Sequence, residues 1–272
     1  FRRGSGRREL AEAIVHPDNP LTARVIVNRI WAHHFGHGLV ATVSNFGLRA
    51  TPPSHPRLLD YLASDLIEHG WSIKRLHRLI LSSRTWQQTS RDRPAARRID
   101  PDNRLLWRYH RRRVDFEILR DAMLSAAGRL DLQMLGPAIP LWQSGNARRT
   151  LYAHIDRSQL PTVLRLFDFP SPDTHNPARS RTTAPQQALF LMNNVFVKER
   201  AAELAQRARE AVARGNVDAT VAMATTLYQI ALGRPPTTAE LERCSEGLAT
   251  GVLDWPQIAQ MLLISNEFLF ID

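Results

Sequence analysis

The stretch PRLLDYLASDLIEHGWSIKRLHRLILSS (56–83) decides the fold class. It predicts a helix from about Pro56 to His69, a Gly70-Trp71-Ser72 turn, and a second helix from about Ile73 to Ser83. Gly70 suits the left-handed position just past a helix, because it carries no Cβ to clash there. Ser72 suits the N-cap, where a hydroxyl oxygen accepts from a free backbone N–H of the next helix. A helix hairpin with both inner ends specified by side-chain chemistry points to a mainly α protein.

Working outward, residues 8–16 read as a short helix stopped by Pro17-Asp18-Asn19-Pro20. A second helix runs from near Thr22 through Trp31 and Phe35, and Gly36 and Gly38 end it. Residues 39–55 and 91–103 read as loops, and a long helix is expected over about 113–130. Ile139, Leu141 and Trp142, then Ser144-Gly145-Asn146, then Leu151, Tyr152 and Ile155 suggest a small β-hairpin over 139–155. Residues 167–187 form a polar loop of unusual length, followed by helices over about 185–213, 217–232, 238–248 and 255–269. We expect a single domain over 1–272, with a subdivision into a basic helical part (1–135) and a remainder (136–272). Phe1 in place of Met and the run Arg2-Arg3-Gly4-Ser5-Gly6-Arg7-Arg8 suggest a linker and a chain cut from a larger one.

Composition is that of a globular protein, with 43% hydrophobic and 23% charged residues. The formal net charge is +10, and it is uneven: residues 1–113 hold 21 Lys+Arg against 9 Asp+Glu, the rest 15 against 17. Such a basic half can attract carboxylated, sulfated or phosphorylated polymers. One cysteine, Cys244, excludes an internal disulfide, a Cys-based zinc site and a Cys-x-x-Cys-His haem attachment. No apolar run reaches the ~18 residues that a membrane span needs.

Several residues carry candidate chemistry. His33 and His37 lie one turn apart and could meet one metal ion, or could serve a helix C-terminus through its free carbonyls. Asn28, Arg29 and His34 accompany them on the same helix. Lys74, Arg75 and Arg78 oppose Ile73, Leu76 and Ile80, a basic face of the kind that a nucleic-acid reader presents over 72–83, although few base-reading residues stand beside it. Arg112, Arg113, Glu117 and Asp121 could form an ion-pair lattice or an anion-binding edge. The loop with Asp168, Asp173, Arg179, Thr182, Thr183 and Gln186 gathers groups able to hold a polar ligand or to satisfy the loop's own backbone.

The phrases NPLTARVIVNRIWAHHFGHGLV (19–40), HPRLLDYLASDLIEHGWSIKRLHRLILSSRTWQQTS (55–90), NRLLWRYHRRRVDFEILRDAMLSAAGRLD (103–131), FDFPSPDTHNPARSRTTAPQQALFLMNN (167–194) and SNEFLFID (265–272) carry a family likeness. They closely resemble the C-terminal domain, of unknown function and numbered fifteen fifty-three, of planctomycete-type secreted cytochrome c proteins. The resemblance implies an exported, multidomain parent chain, an extracytoplasmic location, and haem c on a separate domain. Relatives often carry a cysteine near the position of Asn176, which this chain lacks.

Three functional classes are expected. The first is an accessory or ligand-binding domain that faces anionic polysaccharide and neighbouring domains of the parent chain. The second is an enzyme whose site forms where the His33/His37 helix meets the 168–187 loop. The third is nucleic-acid binding through 72–83.

Overall fold

The computed structural model describes residues 4–212 and 219–271, and it is mainly helical. It divides into two compact units, one running to Arg112 and the other spanning Arg113–Ile271. The division therefore falls at Arg112/Arg113 rather than near residue 135, because the segment after α6 (Phe116–Ala126) is tied to later parts of the chain by the Asp131–Arg148 bridge.

The N-terminal unit holds α1 (Arg7–Val15), α2 (Thr22–Phe35), α3 (Pro56–Glu68), α4 (Ile73–Leu81) and α5 (Pro94–Ile99). The hairpin of α3 and α4 forms as the caps dictate: Ser72 Oγ accepts from the Arg75 N–H at 3.3 Å, and Gly70 sits at φ +66°. Val27, Trp31 and Phe35 of α2 pack with Leu59, Leu62 and Leu66 of α3 and Leu76 and Ile80 of α4. Each such side chain contributes about 1.5–3 kcal/mol when fully buried. The 91–103 loop contains one short helix, α5, which Pro94 starts at its first turn.

The C-terminal unit holds α6, then α7 (Thr162–Leu166), α8 (Pro185–Asn193), α9 (Val195–Val212), α10 (Ala219–Leu232), α11 (Thr238–Ala249), α12 (Trp255–Leu263) and α13 (Asn266–Leu269). At its centre α9 packs against α12, α10 and α6. Ala201, Ala205 and Ala208 are buried on α9, and small side chains there let Ala259 and Leu263 of α12 approach closely. The single helix expected over 185–213 is two, because Asn194 leaves helical geometry and its side chain caps the Phe196 N–H at 2.9 Å. Ser265 breaks 255–269 in the same way, accepting from the Phe268 N–H. Residues 213, 217 and 218, placed in helices by the sequence, lie outside the described residues.

A two-residue strand, β1 (Arg112–Arg113), pairs antiparallel with β2 (Phe270–Ile271). The β-hairpin expected over 139–155 does not form. In its place stand an isolated parallel bridge between Ile139 and Ala153 and a 3-10 turn at Thr150–Tyr152. Pro137 and Pro140 lack N–H donors, and side chains take the backbone groups that a ladder would use. Arg148 donates to the carbonyls of Pro137, Gln133 and Leu135. Arg120, only 1% exposed, donates to Asn146 O, Arg148 O and Thr150 Oγ1 at 2.7–3.1 Å, and Asp121 accepts from Thr150 N at 2.8 Å.

Replacing Arg120 by Met should therefore destabilise the protein by about 3 kcal/mol or more, since a buried acceptor, Thr150 Oγ1, and two partly buried carbonyls lose their donor. Urea denaturation measures it. A change within about 0.5 kcal/mol, the range of neutral surface substitutions, would mean that the guanidinium does not hold this segment.

Candidate functional site

The end of α2 positions a group of histidines. Gly36 closes the helix at φ +85°, donating to Ala32 O, and turns the chain into His37-Gly38-Leu39-Val40. Asn28, fully buried, then clamps that turn: its amide donates to Val40 O at 3.0 Å and accepts from Val40 N at 2.9 Å. Only glycine fits at 38, because a Cβ there would lie 2.7–2.8 Å from the Asn28 amide. Asn28, expected among ligand-binding groups, thus serves the backbone.

The free carbonyls of the last turn of α2 are also taken. Arg112 donates to His33 O at 2.6 Å and Tyr109 OH to His34 O at 3.1 Å, both favourable at the negative end of a helix. His34 Nε2 lies 2.7 Å from His77 Nδ1, so one ring donates and the other accepts, and the edge of His34 meets Trp86. Burial, then the neighbouring His77, Arg112 and His33, holds the His34 pKa below the usual imidazole value. His37 meets His110 with ring centroids 5.0 Å apart, while His33 is exposed. The His37 contact is thus to His110 rather than to His33 one turn earlier. Among the described residues no group of three or more His, Cys, Asp or Glu is arranged to hold a metal ion.

His37 and His110 line a pocket of about 240 Å³, together with Trp31, Leu39, Leu106 and Arg104. Ser54, Asp102 and Asn103 complete the polar lining. Asn103 repeats the clamp of Asn28: it is buried at φ +53°, its amide donates to Arg108 O at 2.8 Å and accepts from Arg108 N at 3.2 Å. Burial lowers the His110 pKa, His37 and Arg108 add to that, and the Asn103 backbone and Asp100 oppose it. An apolar floor with imidazoles and a guanidinium at its rim suits a small polar or anionic group.

The remaining expected residues lie elsewhere. Arg29 is exposed on α2. Arg75 binds Asp65, which is only 7% exposed, through three hydrogen bonds of 2.9–3.3 Å, so the 72–83 face is not a row of unpaired cations. That contact, with burial opposing it, holds the Asp65 pKa below the usual carboxylate range.

In the C-terminal unit the polar loop satisfies itself. Arg179 donates to Glu117 at 2.8 and 2.9 Å and to the carbonyls of Asp168 and Phe167. Asp168, at φ +59°, accepts from Thr182 N at 2.7 Å and from Thr182 Oγ1. Gln187, 1% exposed, accepts from Arg113 and donates to Leu166 O. Asp173 pairs with Arg157 at 3.4 Å, and Thr183 and Gln186 are exposed. The two halves of the expected His33/His37 and 168–187 cleft belong to different compact units, each with its own contacts.

Sequence reasoning missed His77 and His110. His77 follows Leu76 on the side of α4 that also carries Ile80, and a polar residue beside an apolar stripe was the available signal. His110 had none, since it enters the pocket through an irregular segment.

Residues 6–248 match the family model described as PSD1, protein of unknown function (DUF1553), and the chain belongs to that family. No curated protein and no solved structure matches the chain.

His34 and His110 bind protons less tightly when folded than when unfolded, so the unfolded state takes up more protons as pH falls. Their favourable contribution is complete above the ordinary imidazole value and is lost as pH falls through it. Unfolding free energy should thus decline between about pH 8 and about pH 5, and less steeply in His34→Phe. An unchanged slope in that variant, measured by denaturation at each pH, would contradict the role given to the pair.

Proposed function

We propose that this DUF1553 chain is a ligand-binding domain that takes anionic polysaccharide, with the His37–His110 pocket receiving a carboxylate or sulfate group. The carrying observation is the convergence of His37, His110 and Arg104 on one pocket, within the part of the chain that holds the excess of positive charge. The surrounding basic surface supplies attraction at longer range, which salt screens. Trp31, Leu39 and Leu106 lie against the less polar face of such a group, while Asp102 and Ser54 accept or donate to hydroxyls.

The same reading places the domain in an exported, multidomain protein whose cytochrome c portion is separate. Covalent haem c takes two cysteine thiols, and the one cysteine here, Cys244, is buried. Among the described residues no helix is long and apolar enough to cross a membrane.

An anion in the pocket stabilises the protonated imidazole of His110, so binding should take up protons and strengthen as pH falls. Polygalacturonate and dextran sulfate should be retained at low salt and released as salt rises. His37→Ala combined with Arg104→Ala should weaken binding by about tenfold, or about 1.4 kcal/mol. Calorimetry in buffers of different ionisation enthalpy reads both effects. Absence of binding to either polymer at low salt would overturn the proposal.

A further inference from the structure

The C-terminal unit carries a second concave surface of different chemistry, built on the segment PAIPLWQSGN (137–146). Leu141 is buried in the core, and the next residue, Trp142, is 45% exposed. The inner side of the indole packs on Phe196, Phe116 and Phe190, with centroids 5.6–6.4 Å away. The turn beneath it is fixed: Gln143 N donates to Pro140 O, the Asn146 side chain donates to Pro140 O, and buried Arg120 donates to Asn146 O. An exposed aromatic held this firmly loses little conformational freedom when a ligand covers it.

Two depressions meet at Trp142 and Gln143. One is an open groove of about 650 Å³ with His154, Asp156 and Gln159 along it. The other, about 240 Å³, is lined by Ser144, Arg129, Glu199 and Arg200. Its charges are balanced within the protein. Its three arginines face three carboxylates: Arg200 lies 2.7 Å from Glu203 and 3.3 Å from Glu199, Arg129 lies 3.6 Å from Glu203, and Arg120 lies 3.8 Å from Asp121. No excess of either sign is left to select an ion. What remains is a half-exposed indole flanked by the exposed amides of Gln143 and Gln159.

We infer that this surface binds a neutral glycan, with one pyranose ring stacked on Trp142 and the adjoining rings in the two depressions. The C–H bonds of a pyranose face carry partial positive charge and suit the negative face of an indole. Its equatorial hydroxyls are vicinal pairs, matched by the exposed amides of Gln143 and Gln159, with one further acceptor oxygen each from Asp156 and Glu199, whose other oxygens accept from Ser158 and Arg200. Such binding differs from that of the histidine pocket in one measurable respect, since uncharged hydroxyls make it insensitive to salt.

The experiment titrates the intact chain with cellohexaose, xylohexaose and mannohexaose, using saturation-transfer NMR and calorimetry at low and high salt. At least one hexasaccharide should bind, with affinity unchanged by salt and reduced about tenfold in Trp142→Ala. Trp142→Phe should retain part of the affinity, which separates loss of the stacking face from loss of folding. His37→Ala combined with Arg104→Ala should leave this binding intact, so failure of the anionic-polysaccharide proposal would not touch it. Silence with all three sugars, or equal binding by Trp142→Ala, would overturn the inference.

Discussion

Buried polar side chains that satisfy irregular backbone are the constraint on which this structure depends. The segments at 36–55, 101–111 and 131–184 are largely without regular elements, and their buried N–H and C=O groups still need partners. Asn28, Asn103, Arg120 and Gln187 supply them, each 2% exposed or less and each bonded to main-chain atoms of a loop, Gln187 by accepting from Ala184 N. Asn28 and Asn103 use one geometry, an amide that donates to and accepts from the same residue, as a neighbouring strand would. Both proposed binding surfaces stand on these clamps. The histidine pocket is lined by Leu39 and Ala41 beside the Asn28 clamp and by Arg104 and Leu106 beside the Asn103 clamp. The Trp142 platform rests on Arg120.

That constraint also explains what was legible in the sequence. The α3–α4 hairpin was, because Gly70 and Ser72 act locally and their effect does not depend on what lies elsewhere. The capping box at the start of α11 is equally local, with Glu240 accepting from Thr237 N, three residues earlier, at 2.7 Å. The hairpin at 139–155 failed for the opposite reason. Its apolar spacing suits strands, but Arg120 and Asp121, some 20 to 30 residues earlier, take the ladder's groups, and no local pattern announces that.

The candidate site divides along the same line. The density of charged groups in 167–187 was visible, yet Arg179, Glu117, Asp168 and Thr182 satisfy one another, so the segment reads as a self-stapled loop. His37 was visible as well, whereas its partner His110 is 73 positions away in an irregular segment. Asn28 illustrates the hazard in choosing sites by polarity, since a fully buried amide on a helix is more simply explained by a backbone group that needs it. Family membership adds the chain's place among relatives, while the chemistry of its surfaces has to be read from the side chains themselves.

Amide hydrogen exchange resolved by residue tests the clamp account most directly. The N–H groups of Val40, Arg108 and Thr150 lie outside α-helices and strands and donate to side-chain oxygens of Asn28, Asn103 and Asp121. They should exchange as slowly as amides in the middle of α2 and α6, because opening them requires the same unfolding of the unit that contains them. Exchange at these three amides at the fast rate of the exposed 91–93 segment would contradict the account.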